Sequence, residues 1–329
     1  MKTFHIQWHL SNICNLRCKH CYQEDYNTGE KVSLNFLKKE IENLSEFLKK
    51  YKKALTVDIT GGEPLIFPYF WEILTLLEES EFVKKTGLIT NGTLLDEKKI
   101  KKLSLYKKLK IIKISCEGCE KTTYEYFRGY SFEKFLHILE GLKNFPEEKM
   151  LIFTLMENNV SQVPLLFDLV EKFSLSGFII ERFFPMGQGK ISQQEIVSLD
   201  SWKFICEYLL YRCGFDEGLE PILPYRGFML KKDKNWKIFG SECIVGKNGC
   251  ALMGDGTVYP CRRFNLPIGN LIEQKFIDIW AHSFVSSLRK RKNLKGKCKT
   301  CKVEKCYGCR ALTHCLTRDF YQQDPLCFL

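Results

Sequence analysis

The sequence predicts an α/β protein: a partial (β/α)6 TIM-like barrel followed by a small cysteine-rich domain. Strand and helix patterns alternate from residue 3 to about residue 200, which indicates a parallel sheet with helical crossovers. A closed (β/α)8 barrel takes about 250 residues, so this stretch fits an open barrel with six units. Nine of the 16 cysteines lie beyond residue 242 and mark the second region.

Six short runs rich in β-branched and apolar residues are the predicted barrel strands. They span residues 3–10, 54–60, 86–90, 109–115, 149–155 and 177–181. Apolar residues at intervals of three and four predict the main helices, at residues 34–50 with Ser33 as N-cap, 68–79, 163–173 and 199–211. We therefore expect a barrel domain over residues 1–200, a bridging helix and linker with one mobile loop over 201–242, and a cysteine-rich domain over 243–329.

Composition narrows the class of protein. No run approaches the ~18 apolar residues of a membrane span, and the N-terminus has no signal-peptide pattern. The sequence therefore predicts a cytoplasmic protein, in which clustered cysteines indicate metal rather than disulfides. The net charge of +11 is spread along the chain without aromatic interleaving, so neither nucleic acid nor membrane is expected as a partner. A basic run at residues 289–299 is either a solvated face or a docking surface for an acidic peptide or an electron donor.

Cys14, Cys18 and Cys21 form a C-x3-C-x2-C motif directly after the first predicted strand. Three thiolates hold a [4Fe-4S] cluster but leave one iron without a protein ligand, free to bind a small molecule. The motif resembles the signature of the radical S-adenosylmethionine (SAM) superfamily. That resemblance implies that the amino and carboxylate groups of SAM chelate the open iron and that SAM is cleaved to a 5′-deoxyadenosyl radical.

A Gly61-Gly62-Glu63-Pro64 loop follows the second predicted strand. Glycines permit close backbone approach to a ligand, a carboxylate accepts from an ammonium group, and proline stiffens the turn. In the superfamily this segment holds the SAM amino group. By the same resemblance Asn91, in Thr-Asn-Gly after the third strand, lies near the SAM ribose and methionine, and an Asn-Gly turn is the alternative for it.

Five more polar residues are candidate SAM contacts. Ser115 and Glu117 lie in a segment similar to the family's Ile-Ser-Leu-Asp-Gly, with Cys116 and Glu117 departing from it. The resemblance implies that Ser115 and Arg128 meet the SAM carboxylate, and the planar guanidinium fork suits that group. Asn159 and Arg182 follow predicted strands at the edge where barrel enzymes keep their sites, unless they are merely surface polar residues.

The C-terminal cysteines are similar to the SPASM domain, which extends many radical SAM enzymes and carries two auxiliary [4Fe-4S] clusters. The family's interleaved pattern implies one set formed by Cys243, Cys250, Cys261 and Cys309, and a second formed by Cys298, Cys301, Cys306 and Cys327. Zinc is the rival metal, but the gap of four residues between Cys301 and Cys306 is much shorter than the ~15–20 between zinc knuckles. Cys315 remains an alternative to Cys309. The cysteines outside both sets and the opening motif are expected to be buried free thiols: Cys116, Cys119, Cys206, Cys213 and Cys315.

The two resemblances imply an enzyme with three [4Fe-4S] clusters and SAM that abstracts a hydrogen atom from its substrate. SPASM proteins most often modify ribosomally made peptides, so the first expectation is a peptide or protein substrate that receives a thioether bond, a carbon–carbon crosslink or an epimerised residue. A flavodoxin- or ferredoxin-type reductant is the expected electron donor. Only thirteen residues precede Cys14, so a leader peptide is expected to dock on the barrel, on the basic face or on a separate leader-peptide-binding protein.

Three alternatives remain open at this level. A radical SAM enzyme of tetrapyrrole metabolism that removes propionate side chains has the same architecture. An anaerobic sulfatase-maturing enzyme would carry Asp where Arg262 follows Cys261 here, which counts against it. An iron-sulfur electron carrier is the non-enzymatic alternative, and the intact cysteine and Gly-Gly-Glu-Pro motifs argue against it.

Overall fold

The computed structural model describes residues 2–26, 34–215, 218–219, 222–264 and 266–329, so the predicted N-cap Ser33 lies outside the described residues. The strands are β1 (Thr3–His9), β2 (Ala54–Thr60), β3 (Val83–Thr90), β4 (Leu109–Ser115), β5 (Glu148–Leu155), β6 (Gly177–Arg182), β7 (Gly227–Lys232), β8 (Trp236–Gly240), β9 (Gly249–Met253), β10 (Thr257–Tyr259) and β11 (Gly269–Asn270). The helices are α1 (Leu34–Lys50), α2 (Phe70–Glu79), α3 (Glu97–Leu103), α4 (Lys121–Arg128), α5 (Phe132–Gly141), α6 (Val163–Lys172), α7 (Leu199–Arg212), α8 (Phe276–Trp280), α9 (Ser283–Ser287), α10 (Lys297–Thr300) and α11 (Arg310–Thr317).

All the strands of the described chain belong to one sheet, in the order β11-β10-β9-β1-β2-β3-β4-β5-β6-β7-β8. Neighbours from β1 to β6 are parallel, with helices in the connections, which confirms the predicted partial barrel. Parallel strands end at a common edge. The loops after β1 to β6 are therefore brought together, and they carry most of the candidate site residues.

The crossover helices bury one apolar face against the sheet. In α1 the buried side chains include Leu37, Leu44 and Leu48, at the spacing that puts them on one side of a helix. Phe47 of the same helix packs edge to face on Phe4 of β1, with ring centroids 5.0 Å apart. None of the helices in the described part of the chain is long and apolar enough to cross a membrane.

The segment between the two domains differs from its prediction. Residues expected to form a linker with a mobile loop instead make an antiparallel hairpin, β7 and β8, that pairs with β6. The run Lys231-Lys232-Asp233-Lys234 covers the end of β7 and the turn into β8. Its lysines obscure the strand pattern because they reach acidic partners on the barrel: Lys231 pairs with Glu148 and Lys232 with Glu171. The domain boundaries at 200 and 242 stay predictions.

The cysteine-rich region joins the opposite side of the sheet. Strand β9 pairs in parallel with β1 and antiparallel with β10, which explains why all five of its residues are buried. The tight turn between β9 and β10 contains Gly256 at φ +83°, a conformation that favours glycine. The barrel and the cysteine-rich region therefore share one continuous hydrogen-bonded sheet.

Candidate active site

The three opening cysteines lie in the loop after β1 and line a cavity of about 140 Å³ at the C-terminal edge of the barrel. We call it the inner cavity. The Gly-Gly-Glu-Pro loop after β2 holds this cysteine loop in place: the Gly62 N–H donates to the Ser11 carbonyl at 2.8 Å, and the Glu63 N–H donates to the Ile13 carbonyl at 2.8 Å. These backbone hydrogen bonds tie the cysteine loop to the loop after β2.

Gly61 and Gly62 line the inner cavity, and both also pack tightly on the cysteine loop. Gly61 has φ +146°, and an added Cβ would lie 2.6 Å from the Ser11 carbonyl oxygen. An added Cβ on Gly62 would lie 2.6 Å from the Asn12 carbonyl oxygen. Glycine is therefore needed at both positions chiefly because the backbone of the cysteine loop lies so close to them.

Glu63 is fully buried and lies behind the residues that line the inner cavity. Its carboxylate accepts from the Thr90 hydroxyl at 2.7 Å, the Asn91 N–H at 2.8 Å and the Leu65 N–H at 3.1 Å. Burial raises the pKa of this carboxyl, although the three hydrogen bonds oppose the rise. Glu63 thus fastens the β2 loop to the end of β3, and its contact with SAM stays a prediction. Pro64 begins a short 3-10 helix beside it and does not line the cavity either.

Asn91 lines the inner cavity next to the opening cysteines. Its side-chain amide donates to the Asn15 side-chain oxygen at 2.9 Å and lies 3.9 Å from the Cys14 sulfur. Ser115 also lines the cavity, with its hydroxyl 3.5 Å from the Thr90 carbonyl oxygen. These two polar groups flank the space beside the cysteines.

Glu117 and Arg128 form a buried ion pair at 3.2 Å within the inner cavity. His20, between Cys18 and Cys21, places its Nε2 atom 3.4 Å from the other Glu117 oxygen. Burial alone would raise the pKa of Glu117, but the charges of His20 and Arg128 lower it to about 2. The carboxylate is therefore ionised and holds Arg128 in position. Another N–H edge of the guanidinium can then pair with the carboxylate of a ligand.

Two predicted contacts lie elsewhere. Asn159 is fully buried and outside the cavity lining, and its amide donates to the backbone carbonyls of Glu117 at 3.1 Å and Thr154 at 3.0 Å. It positions the Glu117 segment. Arg182 lines the inner cavity, but its guanidinium pairs with Asp324 of the cysteine-rich region and stacks 4.2 Å from the Trp202 ring centroid. Its main partner is thus the second domain, and contact of either residue with SAM stays a prediction.

The second predicted set of auxiliary ligands is assembled around one cavity of about 330 Å³. All four members of the set line it: Cys298, Cys301, Cys306 and Cys327. Four thiols converging on one cavity fit a cubane cluster, for which four cysteine thiolates are the usual ligands.

Three of the four cysteines in the first auxiliary set are mutual neighbours. Burial raises the pKa of Cys261 to about 11, and the nearby thiols of Cys243 and Cys309 add to that rise. Cys250 is buried on β9, with 1% of its surface exposed. Cys315, the alternative to Cys309, directs its sulfur towards the Pro185 carbonyl oxygen at 3.7 Å. The structure thus groups Cys309 with Cys243 and Cys261, and the full ligand set stays a prediction.

A larger cavity of about 560 Å³ adjoins the inner cavity, and we call it the outer cavity. Tyr22, Gln23 and Arg263 line both. The cationic side chains in its wall are Lys190, Arg262, Arg263 and Arg318. Sequence reasoning missed this cavity and the role of His20. The available signals were that His20 lies inside the cysteine motif and that two arginines directly follow Cys261.

Two family models match the chain. Residues 8–169 match the radical SAM superfamily, and residues 243–302 match SPASM, described as an iron-sulfur cluster-binding domain. The chain belongs to the radical SAM superfamily. It is a radical SAM enzyme with a SPASM domain, as the cysteine motifs predict.

Three similar proteins illustrate the range of its relatives. The AdoMet-dependent heme synthase of Methanosarcina barkeri is 26% identical, and the alignment covers 98% of this radical SAM chain and 95% of the relative. The antilisterial bacteriocin subtilosin biosynthesis protein AlbA of Bacillus subtilis is 24% identical over 86% of the chain and 61% of its own length. The structure of Streptococcus suis SuiB bound to precursor peptide SuiA aligns with a TM-score of 0.73 and 18% identity, covering 100% of this chain and 76% of SuiB.

The radical SAM and SPASM domains bring a SAM-binding [4Fe-4S] cluster and auxiliary clusters to this enzyme. The residues of the chain fit these groups: the opening thiols share a cavity with the Glu117 and Arg128 pair, and four SPASM thiols share a second cavity. Burial raises the pKa of the Cys18 thiol to about 12, so cluster binding has to release its proton.

Proposed function

We propose that this enzyme removes a hydrogen atom from a carboxylate-bearing substrate bound in the outer cavity, and that the substrate is a tetrapyrrole with propionate side chains. The observation that carries the proposal is the pair of free cations in the cavity wall. Among the described residues, neither Arg262 nor Arg318 has a carboxylate within 4 Å.

Arg262 is prepared to meet an anion. Its Nε atom is buried and has no hydrogen-bond partner among the residues described, and its guanidinium lies 4.8 Å from the Tyr22 ring centroid. An unpaired buried donor costs free energy, which an incoming carboxylate recovers. Lys190 and Arg263 differ from it, because they already pair with Glu24 and Glu181. Arg262 and Arg318 are therefore the anchors that select a carboxylate.

The outer cavity also contains a neutral imidazole. Burial and the nearby Arg318 lower the pKa of His314, whose ring stacks on Phe320 with centroids 3.8 Å apart. A neutral imidazole is a suitable ligand for iron in a porphyrin. The near end-to-end similarity to a heme synthase supports the same substrate class.

The chemistry proposed is oxidative loss of a propionate carboxyl group. When bound, the cluster and SAM supply the 5′-deoxyadenosyl radical, which takes a hydrogen atom from the propionate chain. The substrate radical would then lose carbon dioxide and give up one electron, leaving a vinyl group, and an oxidised auxiliary [4Fe-4S] cluster would be the electron acceptor. Arg262 and Arg318 hold the carboxylates in place. Tyr22, Gln23 and Arg263 line the passage between the two cavities and orient the propionate chain towards SAM.

The test uses iron coproporphyrin III as the probe with the cluster-loaded enzyme under anaerobic conditions. We expect a shift of the porphyrin absorption band on binding and SAM-dependent loss of carbon dioxide detected by mass spectrometry. R262Q and R318Q should each weaken binding by roughly 10–100-fold, because a charge-assisted hydrogen bond contributes about 1.5–3 kcal/mol. K98Q, which removes an exposed charge on α3, is the matched control and should bind normally.

A second candidate is the modification of a ribosomally made peptide, which the similarity to AlbA supports. A peptide with acidic side chains would use the same two arginines. If this second function is correct, an acidic peptide should stimulate 5′-deoxyadenosine formation in the same assay and should change in mass. The porphyrin should do neither. Absence of porphyrin binding to the wild-type enzyme would overturn the tetrapyrrole proposal.

We also propose that the electron donor is a flavodoxin- or ferredoxin-type protein. Such a protein is negatively charged, and two exposed lysines, Lys297 and Lys302, line the second auxiliary cavity. This arrangement supports docking of an acidic reductant by charge complementarity.

A further inference from the structure

Each auxiliary site has an arginine in contact with one ligand sulfur. At the first site, Nη2 of Arg289 lies 3.1 Å from the Cys243 sulfur and 2.9 Å from the Cys243 carbonyl oxygen. At the second site, Nη2 of Arg226 lies 2.8 Å from the Cys306 sulfur, and Nη2 of Arg310 lies farther away, 3.8 Å from the Cys298 sulfur. The contacts of Arg289 and Arg226 are the two short ones for a sulfur acceptor.

Other contacts hold both guanidinium groups in place. Arg226 donates through Nη1 to the carbonyls of Leu223 at 2.6 Å and Tyr225 at 2.7 Å, and its Nε lies 3.2 Å from Asp324. Arg289 donates through Nε to the Val245 carbonyl, and its guanidinium lies 5.4 Å from the Tyr307 ring centroid. The sulfur contacts are therefore fixed by the fold.

A neighbouring arginine in the same basic run behaves differently. Within the described ranges, Arg291 donates only to backbone oxygens of the second cysteine loop, those of Cys298, Cys301, Val303 and Cys306. It braces the loop without touching a sulfur. Arg289 and Arg291 are thus part of the auxiliary sites, while Lys290 and Lys292 of the same run are exposed.

Hydrogen bonds to the ligand sulfurs and nearby positive charge favour the reduced, more negatively charged state of an iron-sulfur cluster. The two arginines carry the same charge but differ in the carboxylates around them. Arg226 is paired with Asp324, which cancels part of its field, whereas no carboxylate in the described ranges lies within 4 Å of Arg289. Arg289 should therefore have the larger effect on its cluster.

We propose that Arg289 and Arg226 are positioning residues that raise the reduction potentials of the first and second auxiliary clusters, respectively, by hydrogen-bonding to Cys243 and Cys306. Both clusters then accept an electron more readily. The inference rests on the auxiliary clusters alone and is independent of the substrate.

The experiment is a redox titration of the cluster-loaded full chain, followed by electron paramagnetic resonance without substrate. R289Q and R226Q should each shift one auxiliary signal to a more negative midpoint potential, with the larger shift in R289Q. R289K and R226K keep the charge and should recover part of the shift. K292Q removes a charge from the same run without a sulfur contact, and its potentials should match those of the wild type.

A second measurement uses only the wild-type enzyme, so it remains possible if a variant fails to bind its clusters. Resonance Raman spectra of the wild-type enzyme in H2O and D2O should show a deuterium shift in the iron–cysteine stretches, because the donors are exchangeable N–H groups. Unchanged potentials in a fully loaded R289Q, a shift of equal size in K292Q, or no deuterium effect would each overturn the proposal. A failed porphyrin assay would leave these results untouched, so the two proposals are tested separately.

Discussion

Arg182 at the end of β6 and Asp324 of the SPASM domain form an ion pair at 3.3 Å in which each side chain is only 2% exposed. The Asp324 carboxylate also accepts from the N–H groups of Cys309 at 2.7 Å and Leu326 at 3.0 Å, and it pairs with Arg226. One buried carboxylate therefore contacts a residue of the inner-cavity wall, the segment of Cys309, which is a predicted ligand, and the arginine that contacts Cys306.

Replacing Asp324 with asparagine should strongly destabilise the enzyme. It leaves the Arg182 guanidinium buried without a counter-charge, and breaking a buried ion pair costs about 3–5 kcal/mol. Anaerobic urea unfolding of the cluster-loaded chain should show a lower midpoint. D233N is the control, since Asp233 pairs with Lys237 at the exposed hairpin tip, and its midpoint should not move.

The effect of D324N should not depend on pH between about 5.5 and 9. Burial alone would raise the pKa of Asp324, but Arg182 and Arg226 lower it to about 2, whereas the unfolded value is about 3.9. A depressed folded pKa gives stability that is fully present above the unfolded value and is lost as the pH falls through the folded one. A difference from wild type that changes between pH 6 and 9 would contradict this assignment.

Replacing Cys14, Cys18 and Cys21 with alanine should abolish SAM cleavage. The variant should lose one cluster and retain about eight of an expected twelve irons per chain after reconstitution, since each [4Fe-4S] cluster holds four. Iron analysis and chromatography of 5′-deoxyadenosine measure both effects. Formation of 5′-deoxyadenosine in the variant, or stoichiometric zinc in the wild type, would refute the cluster assignment.

C309A and C315A separate the two candidates for the fourth ligand of the first auxiliary cluster. Because Cys309 neighbours Cys243 and Cys261, C309A should lose about four irons or convert the cluster to a smaller form. C315A should keep its full iron content, because the Cys315 sulfur lies in the wall of the outer cavity. Mössbauer spectroscopy distinguishes these outcomes, and the reverse pattern would make Cys315 the ligand.

Gly62→Ala should displace the opening cysteine loop. The added methyl group would collide with the carbonyls of Asn12 and Ile13, both backbone atoms that cannot move independently. We expect loss of the SAM cluster and of SAM cleavage while the auxiliary clusters remain. Gly141→Ala is the control: its nearest neighbour would be Ile100 at 3.6 Å, and alanine in a helix is stabilising by about 0.5–1 kcal/mol.

The barrel strands and helices are well predicted because each one is marked by the apolar pattern of its own short stretch of sequence. Strands β2 and β4 have the predicted bounds, and α1 begins and ends at the predicted residues. The hairpin β7–β8 escaped prediction because its stability comes from pairing with β6 and from ion pairs to distant acidic residues. No short-range pattern reports such contacts.

In the candidate site, the sequence predicts which residue types could bind clusters and SAM, but not which partners those residues contact in the fold. Cysteine spacing predicts the cluster ligands, but it does not reveal that Glu63 accepts from three internal donors or that Arg182 pairs with Asp324. Arg262 follows a predicted ligand in the sequence, yet its importance depends on a cavity formed by segments far apart in the chain. These features arise from tertiary packing.

The pairing of β9 with β1 has a consequence for how the chain must be made. During translation β1 (Thr3–His9) leaves the ribosome long before β9 (Gly249–Met253), the strand with which it pairs. Until then, the backbone donors and acceptors on one side of β1 have no strand to pair with, and open strand edges recruit other chains. Expression of the barrel without its SPASM domain should therefore yield aggregated protein, even though the barrel carries the complete opening cysteine motif.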